Sequence, residues 1–156
     1  GFGDGFVAFL ADELVPFIDE RYRTRTDPAD RLIVGDSYGG LIATYVPFQR
    51  PDVFGLGYSQ SGYHSFQSDR MIRLVETEPV KPIRLFVDVG TYETVVGSGM
   101  LDPNETDFLA ANRRLRAALA ARGYDFEYAE HPEGHTWGNW RGHLPRALRH
   151  FFPTKR

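Results

Sequence analysis

The pentapeptide Gly35-Asp36-Ser37-Tyr38-Gly39 constrains this chain more than any other feature, because of what flanks it. Before it, Arg31-Leu-Ile-Val-Gly35 is a short apolar run with β-branched residues, the pattern of a strand buried on both faces in a parallel sheet. After it, residues 37–48 set Leu41, Ile42 and Tyr45 on one helical face. A strand that runs directly into a helix leaves Ser37 on a tight turn, in strained backbone geometry with its hydroxyl exposed. On this reading a side chain at position 35 or 39 would collide with the opposing backbone, and Gly40 lets the helix approach the sheet. The helix N-terminus directs partial positive charge at the serine, and the Tyr38 N–H is free to donate to a developing oxyanion.

Beyond this turn, strand and helix patterns alternate. Residues 6–22 carry Phe6, Leu10, Leu14, Phe17 and Ile18 at helical spacing, with Pro16 expected to kink or divide the helix. Strands are expected over 53–59, 83–89 and 124–129, and helices over 68–76 and 139–152. Asp102-Pro103-Asn104-Glu105 has the form of a capping box that opens a helix running to Gly123, a residue suited to a left-handed cap. Alternation of this kind means α/β architecture, a parallel sheet with helices on both faces.

A chain of 156 residues with 42% hydrophobic residues builds one core, so residues 1–156 are read as a single domain. The formal charge of −3 supplies no basic field to gather phosphates, which argues against a nucleic-acid partner. No apolar run is long enough to cross a membrane as a helix. The absence of cysteine excludes disulfides, thiol catalysis and thiolate metal sites, and leaves the compartment open. No cofactor is implied, and oligomeric state is not encoded in any feature of the sequence.

A serine hydroxyl needs a base. When the serine sits on such a turn, the order along the chain is Ser, acid, His. Two histidines follow the last strand, in His131-Pro-Glu-Gly-His135. His131 lies at the strand end ahead of a proline. His135 lies deeper in the loop, where Gly134 gives the backbone freedom to swing the ring toward Ser37, so His135 is the preferred base. A metal-binding i, i+4 pair would need a helix, which Pro132 and Gly134 oppose. For the acid, Glu93 beyond the strand end is preferred to Asp88 within the strand. Asp102 reads better as a cap, and a Ser–His dyad stays open as an alternative. Tyr63, Phe66, Trp137 and Trp140 flank these positions and can either pack or line a substrate pocket; Tyr63, Trp137 and Trp140 are taken as substrate-binding candidates.

Four stretches then resemble a known family: Gly35-Asp-Ser-Tyr-Gly-Gly-Leu41, Phe54-Gly-Leu-Gly-Tyr-Ser-Gln-Ser-Gly62, Val87-Asp-Val-Gly-Thr-Tyr-Glu93 and Gly134-His-Thr-Trp-Gly-Asn-Trp-Arg141. In this order they resemble the enterochelin (enterobactin) esterase and esterase-D-like α/β-hydrolases. The resemblance implies a serine esterase working through an acyl-enzyme, with Ser37 as nucleophile, His135 as base and Glu93 at the acid position, on a small-molecule ester. Within that family the substrates implied are cyclic catecholate siderophores or, alternatively, feruloyl and acetyl groups on polysaccharide, or S-formylglutathione. Where the siderophore branch carries Trp after Ser-Gln-Ser-Gly, this sequence has Tyr63-His64-Ser65-Phe66.

The fold implied is the C-terminal portion of an α/β-hydrolase, with the N-terminal strands absent. The second oxyanion donor is then expected from sequence upstream, and the strand at 32–34 is expected to present an unpaired apolar edge. The competing class of function is a non-catalytic, truncated hydrolase fold that only binds.

Overall fold

The computed structural model describes residues 2–97 and 99–153. Four parallel strands, β1 (Leu32–Asp36), β2 (Leu56–Gln60), β3 (Arg84–Gly90) and β4 (Asp125–His131), form one sheet in the order β1-β2-β3-β4. The register pairs Gly35 with Ser59, Ser59 with Val87 and Val87 with Tyr128, so the C-terminal ends of all four strands share one rim. Each crossover carries a helix: α3 (Tyr38–Gln49), α4 (Phe66–Thr77) and α5 (Phe108–Ala121), with α6 (Trp137–Phe151) after β4. Side chains alternate across the sheet. Leu85 and Val87 meet Phe48, Met71, Val75, Leu115 and Leu119 from α3, α4 and α5. Leu56, Tyr58 and Phe86 meet Ala147 and Phe151 of α6 on the opposite face. Each fully buried Leu or Phe in these layers stabilises the fold by about 1.5–3 kcal/mol.

The expected long N-terminal helix is three segments: α1 (Phe2–Ala8), a π-helical turn (Phe9–Leu14) and α2 (Val15–Arg21). Pro16 has no N–H to give to the carbonyl four residues back. The chain widens just before it, and the Val15 N–H donates to Leu10 O. The inner side of this unit, through Val7, Leu10 and Ala11, packs on Val46 of α3 and on Val53 and Phe54.

Burial of β1 on both faces is corrected. Among the described residues β1 pairs only with β2, and Val34 is 39% exposed. The helix expected from Asp102 is also revised. Asp102 caps only a 3₁₀ turn (Pro103–Glu105), and α5 starts afresh with Asp107 accepting from the Ala110 N–H. Glu105 does not close a capping box. Its carboxylate instead takes the Tyr63 hydroxyl and the Ser68 N–H. That N–H belongs to a left-handed turn, Gln67, Ser68 and Asp69, within α4. Left-handed residues other than glycine cost about 1–2 kcal/mol each. The bonds to Glu105 and the two-pronged Arg114–Asp69 pair offset that cost. Gly123, at φ +72°, provides the left-handed cap after α5.

Candidate active site

Ser37 stands between the end of β1 and the first turn of α3, at φ +58° and ψ −118°. A non-glycine residue held there stores about 1–3 kcal/mol of strain. The Ser37 N–H donates to Gln60 O, and its carbonyl accepts from Leu41 and Tyr63, so the turn is fixed from both sides. Gly35 makes the turn sterically feasible, since a Cβ there would lie 2.2 Å from the Gly39 carbonyl oxygen. The expectation for Gly39 is corrected: a Cβ at 39 meets nothing within 4 Å. The second tight position is Gly40, whose Cβ would fall 2.8 Å from Gly62 Cα. Tyr38 is the first residue of α3, where a backbone N–H has no partner within the helix.

The Ser37 Oγ lies 2.9 Å from His135 Nε2, and His135 Nδ1 lies 2.7 Å from Glu93 Oε2. These residues come from three separate loops at one rim of the sheet. Two of the loops are bonded together: Thr91 N–H to His131 O, and Tyr92 N–H to Glu133 O. The contact requires Gly90, where a Cβ would sit 2.2 Å from the Glu133 carbonyl. The Glu93 side chain is fully buried, whereas the His135 ring keeps some exposure. A buried carboxylate must be hydrogen-bonded. Oε1 of Glu93 receives the Gly90 N–H at 2.8 Å and the Ser61 hydroxyl at 2.6 Å, which leaves Oε2 for His135.

The other candidates lie elsewhere. Asp88 accepts the Tyr58 hydroxyl at 2.5 Å and is 3.8 Å from His131 Nε2, on the α6 face of the sheet. His131 stacks on His143 with ring centroids 3.5 Å apart. Asp102 caps its 3₁₀ turn. Among the described residues no group of three or more His, Cys, Asp or Glu side chains is placed to hold a metal ion.

The aromatic candidates separate by exposure. Tyr63, 2% exposed, stacks on Phe108 and gives its hydroxyl to Glu105. A ring so enclosed offers no surface to a ligand, and the expectation for Tyr63 is revised: it supports Tyr38, whose half-exposed ring meets its edge at 4.7 Å. Burial and the Glu105 carboxylate both push the Tyr63 hydroxyl pKa upward. Trp140 is buried and stands edge-on to His135, with centroids 4.8 Å apart, and its Nε1–H donates to Ser61 Oγ. It too is revised, from substrate contact to packing against the histidine. Trp137, 72% exposed, stands over Trp140 and is open to solvent. A cleft of about 500 Å³ opens among α1, α3 and α4, lined by Tyr38, Leu41, Tyr45, Phe66, Arg70 and Met71.

Sequence reasoning passed over Ser61 and Gly90. Ser61 stands out only inside Ser59-Gln60-Ser61-Gly62, and nothing local to it points to a carboxylate 32 positions away. The Val87–Glu93 stretch contains Gly90, but the backbone that crosses it comes from the His135 loop.

A family model described as Putative esterase matches residues 3–151. The chain is similar to the protein YjcH of Bacillus subtilis (strain 168), 29% identical over 141 residues that cover 90% of this chain and 57% of that one. It is also similar to an iron(III) enterobactin esterase of Dickeya dadantii (strain 3937), 28% identical over 145 residues, 90% of this chain and 33% of that one. The crystal structure of enterochelin esterase from Shigella flexneri superposes with a TM-score of 0.79, at 22% identity, over 95% of this chain and 37% of that one; this likeness concerns the fold. The chain thus spans from a third to just over half the length of these two curated relatives. With a four-stranded parallel sheet flanked by helices and a family match that runs through all four strands, the chain belongs to the Putative esterase family.

Proposed function

We propose that this chain carries the reaction centre of a serine esterase, with Ser37 as nucleophile, His135 as general base and Glu93 as the acid that orients it. The observation that carries the reading is the continuous Glu93–His135–Ser37 chain, with heavy-atom distances of 2.7 and 2.9 Å. Both lie within the reach that proton transfer requires. The tautomer that suits the network has Nδ1–H toward Glu93 and Nε2 accepting from Ser37. Ser37 Oγ attacks the ester carbonyl carbon as Nε2 takes the hydroxyl proton. The Tyr38 N–H donates to the resulting oxyanion. Collapse breaks the acyl–oxygen bond, the leaving alcohol takes the proton from His135, and the acyl group remains on Ser37. Water, deprotonated by the same nitrogen, then releases the acid and regenerates the hydroxyl.

The substrate class is an ester that bears aromatic rings, of the catecholate or feruloyl type. The exposed Trp137 beyond His135 and the half-exposed Tyr38 beside Ser37 support this, because flat rings at the mouth of a site suit aromatic ligands. A fluorophosphonate probe followed by peptide mapping tests the chemistry: labelling is expected at Ser37 and absent in Ser37→Ala. A panel of aryl acetates, feruloyl esters and a catecholate trilactone tests the substrate class. No labelling of the wild-type protein would leave the binding-only reading in its place.

A further inference from the structure

We propose that Ser61 and the indole of Trp140 are positioning residues for the Glu93 carboxylate. The inference rests on the esterase reading above and names what fixes its acid. Ser61 is completely buried, and its hydroxyl has two partners: Trp140 Nε1 at 2.9 Å and Glu93 Oε1 at 2.6 Å. The chemistry fixes the direction of both bonds. An indole nitrogen can only donate, so Ser61 Oγ must accept from Trp140. Its single proton is then left for the carboxylate, and a hydrogen bond to an ionised oxygen is the strong kind. The relay runs one way, from Trp140 N–H through Ser61 O–H to Glu93 Oε1.

Together with the Gly90 N–H, this gives Oε1 two donors and turns Oε2 to His135 Nδ1. A carboxylate that rotated away would forfeit both donors inside a sealed pocket. The backbone of Ser61 is itself held in the left-handed region, at φ +48°, with its N–H on Asp88 O at 2.7 Å. A serine at an unfavourable angle with a hydroxyl so directed is strain used to aim a side chain. Trp140 also stands edge-on to the His135 ring, and its carbonyl accepts from Gln60 Nε2 at 2.7 Å. One residue of α6 therefore bears on base and acid together.

The test compares wild type, Ser61→Ala, Trp140→Phe and the double variant, all normalised by fluorophosphonate titration so that only folded sites count. Trp140→Phe keeps a ring against His135 and deletes the N–H. For an aryl acetate, Ser61→Ala is expected to lower kcat about tenfold with KM within twofold, and Trp140→Phe to lower it about threefold. The double variant should be no slower than Ser61→Ala, because both act through one bond. The far-downfield proton resonance of the His135 Nδ1–H···Glu93 bond should shift in every variant, a change that a merely structural role would not cause. If Ser61→Ala fails to fold, the resonance and rate of Trp140→Phe decide. Multiplying losses in the double variant, or an unmoved resonance, would overturn the positioning role. A wild type that does not label at Ser37 would overturn the esterase reading instead.

Discussion

Among the described residues, two serine–histidine pairs of almost equal length differ in their surroundings. Ser37 Oγ and His135 Nε2 are 2.9 Å apart; Ser59 Oγ and His64 Nε2 are 3.1 Å apart. His135 keeps a partly exposed ring, and its far nitrogen faces the buried Glu93 carboxylate. His64 is fully buried, and its far nitrogen, Nδ1, has no hydrogen-bond partner among the described residues. Burial drives its pKa down to about 3, so the ring stays neutral at ordinary pH. Ser59 and His64 instead fill the space under Gly62, where a Cβ would lie 2.3 Å from His64 Nε2. The pair alone is therefore not a catalytic device. A base needs a route for substrate and a carboxylate to stabilise the imidazolium that forms.

The largest effect that could break this contrast is at the serines. Ser37→Ala should cut ester turnover by roughly 10⁵-fold or more. Ser59→Ala should leave the rate within about threefold and cost about 1 kcal/mol in urea unfolding. Comparable rate losses from both serines would erase the distinction.

Next come the carboxylates. Glu93→Gln preserves shape but favours the wrong tautomer of His135, and turnover should fall by roughly 10³- to 10⁴-fold. Asp88→Asn should change the rate by less than about fivefold, and its cost should appear in stability through Tyr58. Steady-state kinetics that reverse this order would move the acid to Asp88.

His64 gives a smaller effect with a defined sign. Its folded pKa of about 3 lies below the ordinary 6.5, so the folded state prefers the neutral ring. As pH falls from 6.5 toward 3, the unfolded chain takes up a proton that the folded chain refuses, and stability declines. The contribution is complete above about pH 6.5. In His64→Gln the loss of stability across that window should be shallower by up to one proton, read from urea midpoints at several pH values. Parallel curves would mean that His64 titrates freely.

The smallest expected effect concerns the rim. Trp137→Ala should lower turnover of feruloyl or catecholate esters several-fold more than that of aryl acetates, since the loss is of one stacked ring. An equal loss on every substrate would assign Trp137 to packing against Trp140.

Much of this molecule was legible from order along the chain. The alternation of strand and helix patterns names a parallel sheet, and Gly35-Asp-Ser-Tyr-Gly39 fixes where the serine must turn, because only strand, glycine and helix in that succession make the turn close. Local signals fared worse wherever a distant group competed for the same atoms. Asp102 and Glu105 have the spacing of a capping box, yet Glu105 is claimed by Tyr63 and Ser68. The apolar residues of β1 read as a doubly buried strand, while Val34 remains 39% exposed although Leu32 on the same face packs against the α6 layer. Tyr63 and Trp140 carry the aromatic character expected of a binding surface, yet both are buried.

The sequence by itself determined the elements, their order and the short list of polar residues near the strand ends, since periodicity, glycine and proline act within a few positions of themselves. The tertiary structure alone decided which carboxylate meets His135. Asp88 and Glu93 are five positions apart, and both are acidic. They part because side chains alternate across the sheet: Asp88 is turned to the α6 face, and Glu93 is carried back over the rim by the bonds that tie Thr91 and Tyr92 to the His135 loop and by its own bonds to Gly90. The same physics silences His64, because burial disfavours the charged ring more than the Asp69 carboxylate favours it, and no local pattern in the sequence announces the seal.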